Sequence, residues 1–83
     1  KLNLILLKDI YLTLKNISEE DWREEKLQEI IKIKYAEQLK EVCGNIRLFF
    51  LNSSYSPSVF LLLQALGKDE ALGRIKNFYQ VKK

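Results

Sequence analysis

The sequence contains no histidine and no methionine, and it has only one cysteine, one proline and three glycines in 83 residues. Without histidine and with a single thiol, the chain cannot build a zinc cluster, a disulfide framework or a histidine-based catalytic triad. A thiol nucleophile at Cys43 would also lack the neighbouring base that it needs. These absences argue against a small stand-alone enzyme and favour a binding domain.

Long apolar runs are missing as well. The longest stretches, Leu4–Leu7 and Val59–Leu63, have the length of core segments, which argues against a membrane span. The single cysteine suggests a reducing compartment, so we expect a cytoplasmic protein. Because a natural chain begins with methionine and this sequence has none, we expect residues 1–83 to be one domain cut from a larger protein.

The charges are unevenly distributed along the chain, although the net charge is only +3. Residues 18–43 carry eight acidic and five basic side chains, whereas residues 44–83 carry six basic and two acidic ones. A nucleic-acid partner would therefore be expected to contact the second half. Ordinary solvated helix faces explain the same lysines equally well.

The spacing of apolar residues predicts an all-α fold, a compact bundle of about five helices. A first helix is expected over residues 3–16, followed by a capping-box variant that begins at Ser18. A long amphipathic helix then starts at Glu24, and a break near Tyr35–Gln38 is an open alternative. Gly44-Asn45 predicts the end of this helix.

The second half contains one loop between apolar segments. Ile46–Leu51 fits either a short buried strand or a helix, since a six-residue apolar run does not distinguish them. Asn52–Pro57 predicts a loop, and Ser56-Pro57 predicts the N-cap and first residue of the next helix. Gly67 is expected to end that helix, and the final helix follows with acidic residues in its first turn.

The segment Asn45–Ile75 resembles the C-terminal anticodon-binding region of bacterial-type glutamyl-tRNA synthetases. The resemblance extends over most of the chain, best over residues 18–79. It rests on an ordered combination of short elements at matching spacings: Arg47, Asn52-Ser53, Ser56-Pro57, Leu66-Gly67-Lys68 and Arg74-Ile75.

This resemblance implies a helical-cage domain that grips the anticodon loop of the tRNA for glutamate, with residues 46–51 in a helix. The family positions that face anticodon bases correspond here to Arg47, Ser56, Pro57 and Val59. The chemistry of RNA readers agrees, because unpaired bases are bound by planar cations, small donors and aromatic rings. Ser53 and Tyr55 add a hydroxyl and a ring to the expected RNA-binding set.

The resemblance also implies a parent enzyme, a glutamate–tRNA ligase of class I. ATP with Mg²⁺ would be used by its catalytic domain, so we expect this chain to be non-catalytic alone and to hold no cofactor or metal. The expected partners are tRNA and the upstream domains of the same chain, in a monomer. Whether the parent also charges the glutamine tRNA stays open.

Simpler interpretations remain for each site residue. Arg47 could extend along a packed helix to reach water or pair with an acid, and Ser56-Pro57 could merely begin a helix. Tyr55 is as readily an exposed loop aromatic as a stacking surface. The alternative function is a helical protein-interaction module that presents the apolar Leu4–Leu14 face to a partner.

Overall fold

Five α-helices and two short 3₁₀ turns form the regular structure in the computed structural model, which describes residues 2–51 and 58–82. No strand occurs within those two ranges. The prediction of an all-α bundle of about five helices is confirmed. The helices are α1 (Leu4–Lys15), α2 (Glu24–Tyr35), α3 (Leu39–Leu51), α4 (Val59–Leu66) and α5 (Lys68–Lys82), and the 3₁₀ turns are Glu19–Asp21 and Ala36–Gln38.

The predicted cap at Ser18 is present, and α1 also begins at a polar cap, Asn3. The Asn3 side chain accepts a hydrogen bond from the Leu6 N–H at 3.0 Å. The Ser18 hydroxyl accepts one from the Asp21 N–H at 3.3 Å and so caps the first 3₁₀ turn. Both contacts satisfy amide groups that have no partner within a helical turn.

The possible break near Tyr35–Gln38 is confirmed, because a 3₁₀ turn separates α2 from α3 there. No glycine or proline causes it. The Tyr35 hydroxyl donates to the Asp9 carboxylate at 2.6 Å and lies 3.0 Å from the Thr13 hydroxyl, both on α1. Burial, helped by the hydrogen bond to Asp9, raises the pKa of Tyr35 to about 12. This contact fixes the end of α2 against α1, so the chain turns before α3 begins.

The prediction that Gly44-Asn45 ends a helix is wrong, since α3 continues to Leu51 and residues 46–51 are helical. The Asn45 side chain is only 4% exposed. Its oxygen accepts from the Asn3 N–H at 2.7 Å, and its nitrogen donates to the Asn3 carbonyl at 3.0 Å. A residue that often ends helices serves here as a buried link between α3 and the start of α1. This long-range contact outweighs the local stop signal.

The core lies between α1, α2, α3 and α4, with α5 covering one side. Trp22 and Phe60 belong to it at 7% exposed each. Phe78 lies at the edge between α3 and α5, where its ring centroid is 5.4 Å from that of Phe49. The fully buried large residues are Leu7, Ile10, Leu14, Leu27, Ile31, Ile46, Leu63, Ile75, Val42 and Val59.

Gly67 ends α4 as predicted, and α5 begins at the next residue. Its φ of 88° lies in a region that side chains with a Cβ rarely adopt, so glycine permits this abrupt connection. Asp69 and Glu70 lie in the first turn of α5, where they complement the helix dipole. None of the helices in residues 2–51 and 58–82 has the length and apolar character needed to cross a membrane.

The Asn45 link generates a stability prediction. Replacing Asn45 with Ala removes both hydrogen bonds to Asn3 and leaves the partly buried Asn3 N–H without a partner, while the Asn3 carbonyl still accepts from the Leu7 N–H at 2.9 Å. We expect Asn45→Ala to lower the free energy of unfolding by about 1–3 kcal/mol in chemical denaturation. Asn77→Ala, the same change at an exposed helical position, serves as control. Equal stability of the two variants would contradict the role given to Asn45.

Candidate functional site

The predicted RNA-binding residues fall on and beside the connection between α3 and α4. Ser53, Tyr55, Ser56 and Pro57 lie outside the described residues. Arg47 and Val59, one before and one after the connection, are described. The part of the site that the structure describes is therefore the last turns of α3 and the first turn of α4.

Arg47 lies in the second half of α3, one helical turn after Cys43, and is partly buried. Burial raises the pKa of the Cys43 thiol, and the positive charge of Arg47 offsets part of that rise. The net direction is upward, so the thiol is protonated at neutral pH and is not an activated nucleophile. Arg47 thus places a cation on a rigid helix, next to the turn that leads into the connection.

The first turn of α4 is capped by Ser58, whose hydroxyl accepts from the Leu61 N–H at 3.3 Å. The same hydroxyl donates to the Glu24 carboxylate on α2 at 3.2 Å. The prediction of an N-cap at Ser56 with Pro57 as first helical residue is therefore wrong, because the helix begins at Val59. Ser58 thus caps α4 and also joins it to α2.

Val59, predicted to face an anticodon base, is a core residue in this structure. Its side chain is 1% exposed and belongs to the same buried cluster as Phe60 and Leu63. As the first residue of α4 it follows the Ser58 cap directly. The side chain therefore anchors the start of α4 and does not offer an exposed surface to a ligand.

Two further contacts hold α4 against the start of α2. The Trp22 indole N–H donates to the Leu63 carbonyl at 2.7 Å, and the Glu24 N–H donates to the Gln64 side-chain oxygen at 2.6 Å. We refer to these, with the Ser58–Glu24 bond, as the α2–α4 hydrogen bonds. The contact between Glu24 and Gln64 could not be predicted from the sequence, because the two residues are 40 positions apart and no local pattern relates them.

A metal-binding cluster or an unsatisfied buried polar group among the described residues could mark a further site. No group of three or more acidic or cysteine side chains within residues 2–51 and 58–82 could hold a metal ion. Every buried side-chain nitrogen or oxygen in that part of the chain has a hydrogen-bond partner. The buried polar groups in these ranges are therefore all engaged within the fold.

These features define a small all-helical binding domain whose candidate site lies where two packed helices meet. The family model described as "Anticodon binding domain" matches residues 3–79, and the chain therefore belongs to the anticodon-binding domain family. Its partner is accordingly tRNA, in the setting of an aminoacyl-tRNA synthetase. No solved structure matches the chain.

A stability measurement tests whether the bond from Ser58 to Glu24 adds to the stabilisation that Ser58 gives as the cap of α4. Ser58→Ala removes the cap and the bond to Glu24 together, and we expect a loss of about 1–2 kcal/mol in the free energy of unfolding. Ser18→Ala is the matched control, because Ser18 also caps a turn at 3.3 Å but bonds no other helix within the described residues. Chemical denaturation should show the larger loss for Ser58→Ala, and equal losses would mean that the Glu24 bond contributes nothing.

Proposed function

We propose that this chain is the C-terminal anticodon-binding domain of a glutamate–tRNA ligase and that it binds the anticodon of the tRNA for glutamate. The observation that carries the proposal is the family match over residues 3–79, which includes all of α1 to α4 and most of α5. The glutamate type is supported by the resemblance of the segment Asn45–Ile75, with Arg47 and Ser56-Pro57 at the family's positions.

In this proposal, bases are read at the α3–α4 connection. Arg47 supplies a planar fork that can bond a base edge or stack on its face, and α3 restricts where that fork can reach. Ser53, Tyr55, Ser56 and Pro57 complete the RNA-binding set. We assign Val59 a supporting role, because its buried side chain fixes the first turn of α4 behind them.

The contribution of the domain to the parent enzyme is positioning. A grip on the anticodon end orients the distant acceptor end toward the catalytic domain, and such orientation can change rates by orders of magnitude. ATP with Mg²⁺ would be used by that catalytic domain, and no acidic cluster among the described residues here fits the metal. The setting we propose is cytoplasmic protein synthesis by a monomeric ligase.

The alternative, a protein-interaction module that uses the Leu4–Leu14 face, is less well supported. Leu7 and Leu14 are 0% exposed, so these two positions of the stripe are core and cannot meet a partner, and only Leu4 at its start is exposed, at 44%. Ile5 and Leu12 are exposed, but they lie on the other side of α1. Burial of this stripe favours the RNA-binding function.

Binding to anticodon stem-loops tests the proposal. Fluorescence anisotropy would compare the glutamate stem-loop with one whose anticodon bases are changed. We expect wild type to prefer the glutamate anticodon, and Arg47→Ala to weaken that complex by about tenfold, or about 1.4 kcal/mol. The variant should lose most of the preference as well, because the contact that reads the base is gone.

Two controls make the result specific. Arg74→Ala removes the same charge at an exposed position, where the guanidinium pairs with Glu70 at 2.6 Å, and should leave the preference unchanged. Thermal unfolding checks that Arg47→Ala is folded. Equal binding of both stem-loops by wild type would refute the glutamate assignment, and an unaltered preference in Arg47→Ala would remove Arg47 from the site.

A further inference from the structure

The sequence contains three Lys-x-x-Tyr segments. One, Lys32 to Tyr35, lies on α2, and the other two, Lys8 to Tyr11 on α1 and Lys76 to Tyr79 on α5, lie on helices that contact each other. In a helix, residues three apart lie on one face, so each segment presents a lysine beside a tyrosine. The two helices pack against each other, and these four side chains with Gln80 line one groove of about 220 Å³.

The groove is positive. Lys8 and Lys76 are exposed, and neither forms an ion pair with any residue of the described ranges. No acidic side chain lines the groove. Asp9, the neighbour of Lys8, is directed to α2, where it accepts from Tyr35 at 2.6 Å. No carboxylate in the groove neutralises the two ammonium groups, so both can attract an anionic ligand.

The tyrosines give the groove fixed walls. The Tyr79 hydroxyl donates to the Leu4 carbonyl at the start of α1, which holds its ring in place. Tyr11 is partly buried on the opposite wall. Rings beside lysines match the combination by which proteins bind single-stranded RNA, with cations on phosphates and aromatic faces against bases or sugars.

A line of aromatic rings joins this groove to the end of α3. Phe50 and Phe49 meet edge to face at 4.8 Å, Phe49 and Phe78 at 5.4 Å, and Phe78 and Tyr79 at 5.5 Å. The last turn of α3 leads into the α3–α4 connection. These ring contacts therefore connect the groove to the last two turns of α3.

We propose that the groove between α1 and α5 is a second RNA contact, in which Lys8 and Lys76 bind backbone phosphates of the tRNA and Tyr11 contacts a base or ribose. This inference rests on tRNA as the partner and deepens the proposed function. In this arrangement the groove contributes affinity for the tRNA whatever its anticodon, and the α3–α4 connection distinguishes one anticodon base from another.

The salt dependence of stem-loop binding tests this assignment. Lys8→Ala/Lys76→Ala should weaken binding of the glutamate stem-loop and of the altered one by the same factor. It should also reduce the slope of log K against log salt by about 1.5, because two phosphate contacts are lost. The matched control is Lys32→Ala/Lys40→Ala, which removes the same charge from exposed positions on α2 and α3 and should keep the wild-type slope.

Several outcomes would overturn the proposal. Wild-type slope in Lys8→Ala/Lys76→Ala, or an equal loss in both double variants, would show that the groove makes no specific contact. Tyr11→Leu should weaken binding by about fivefold or more without changing the slope, whereas Tyr11→Phe keeps the ring and the affinity. The anticodon proposal has a separate readout. If wild type binds both stem-loops equally while the groove variants still change the slope, the anticodon proposal is contradicted and the groove proposal is not.

Discussion

The hydrogen bond from the Trp22 indole to the Leu63 carbonyl is the contact on which the arrangement of the site depends. It is buried, 2.7 Å long, and joins residues 41 positions apart. α4 has only eight residues, too few to be stable alone, so tertiary contacts must hold it. Trp22 fixes α4 against α2 together with two further bonds: the Ser58 hydroxyl donates to the Glu24 carboxylate, and the Glu24 N–H donates to the Gln64 side-chain oxygen. The α3–α4 connection consequently ends on a rigid element.

Local signals in the sequence were sufficient for much of the fold. The cap at Ser18 and the end of α4 at Gly67 act within one turn of chain, where residue type alone carries the information. The helix end predicted at Gly44-Asn45 failed, and Asn45 there bonds Asn3, 42 positions away. The helix start predicted at Ser56-Pro57 failed as well, and Ser58, the observed cap, also bonds Glu24 on α2. Neither partner can be inferred from spacing along the chain.

In the candidate site too, local sequence features predict some residues and distant contacts decide the role of others. Sequence resemblance located Arg47 and the loop, and the structure places Arg47 partly buried on the helix that leads into that loop. It did not reveal that Val59 is core, because an apolar residue after a helix start fits both roles. The groove between α1 and α5 could not be predicted from the sequence, because Lys8 and Lys76 lie 68 residues apart on two different helices. Only helix packing brings them together.

An amide NMR titration of the chain with the glutamate anticodon stem-loop, compared with an altered anticodon, tests the central claim that base reading occurs at the α3–α4 connection. Shifts that differ between the two RNAs are expected at Arg47 and over 53–59. Shifts common to both RNAs are expected at residues 8–11 and 76–80. Anticodon-dependent shifts confined to the acidic 18–43 region, or no response at millimolar RNA, would contradict the account.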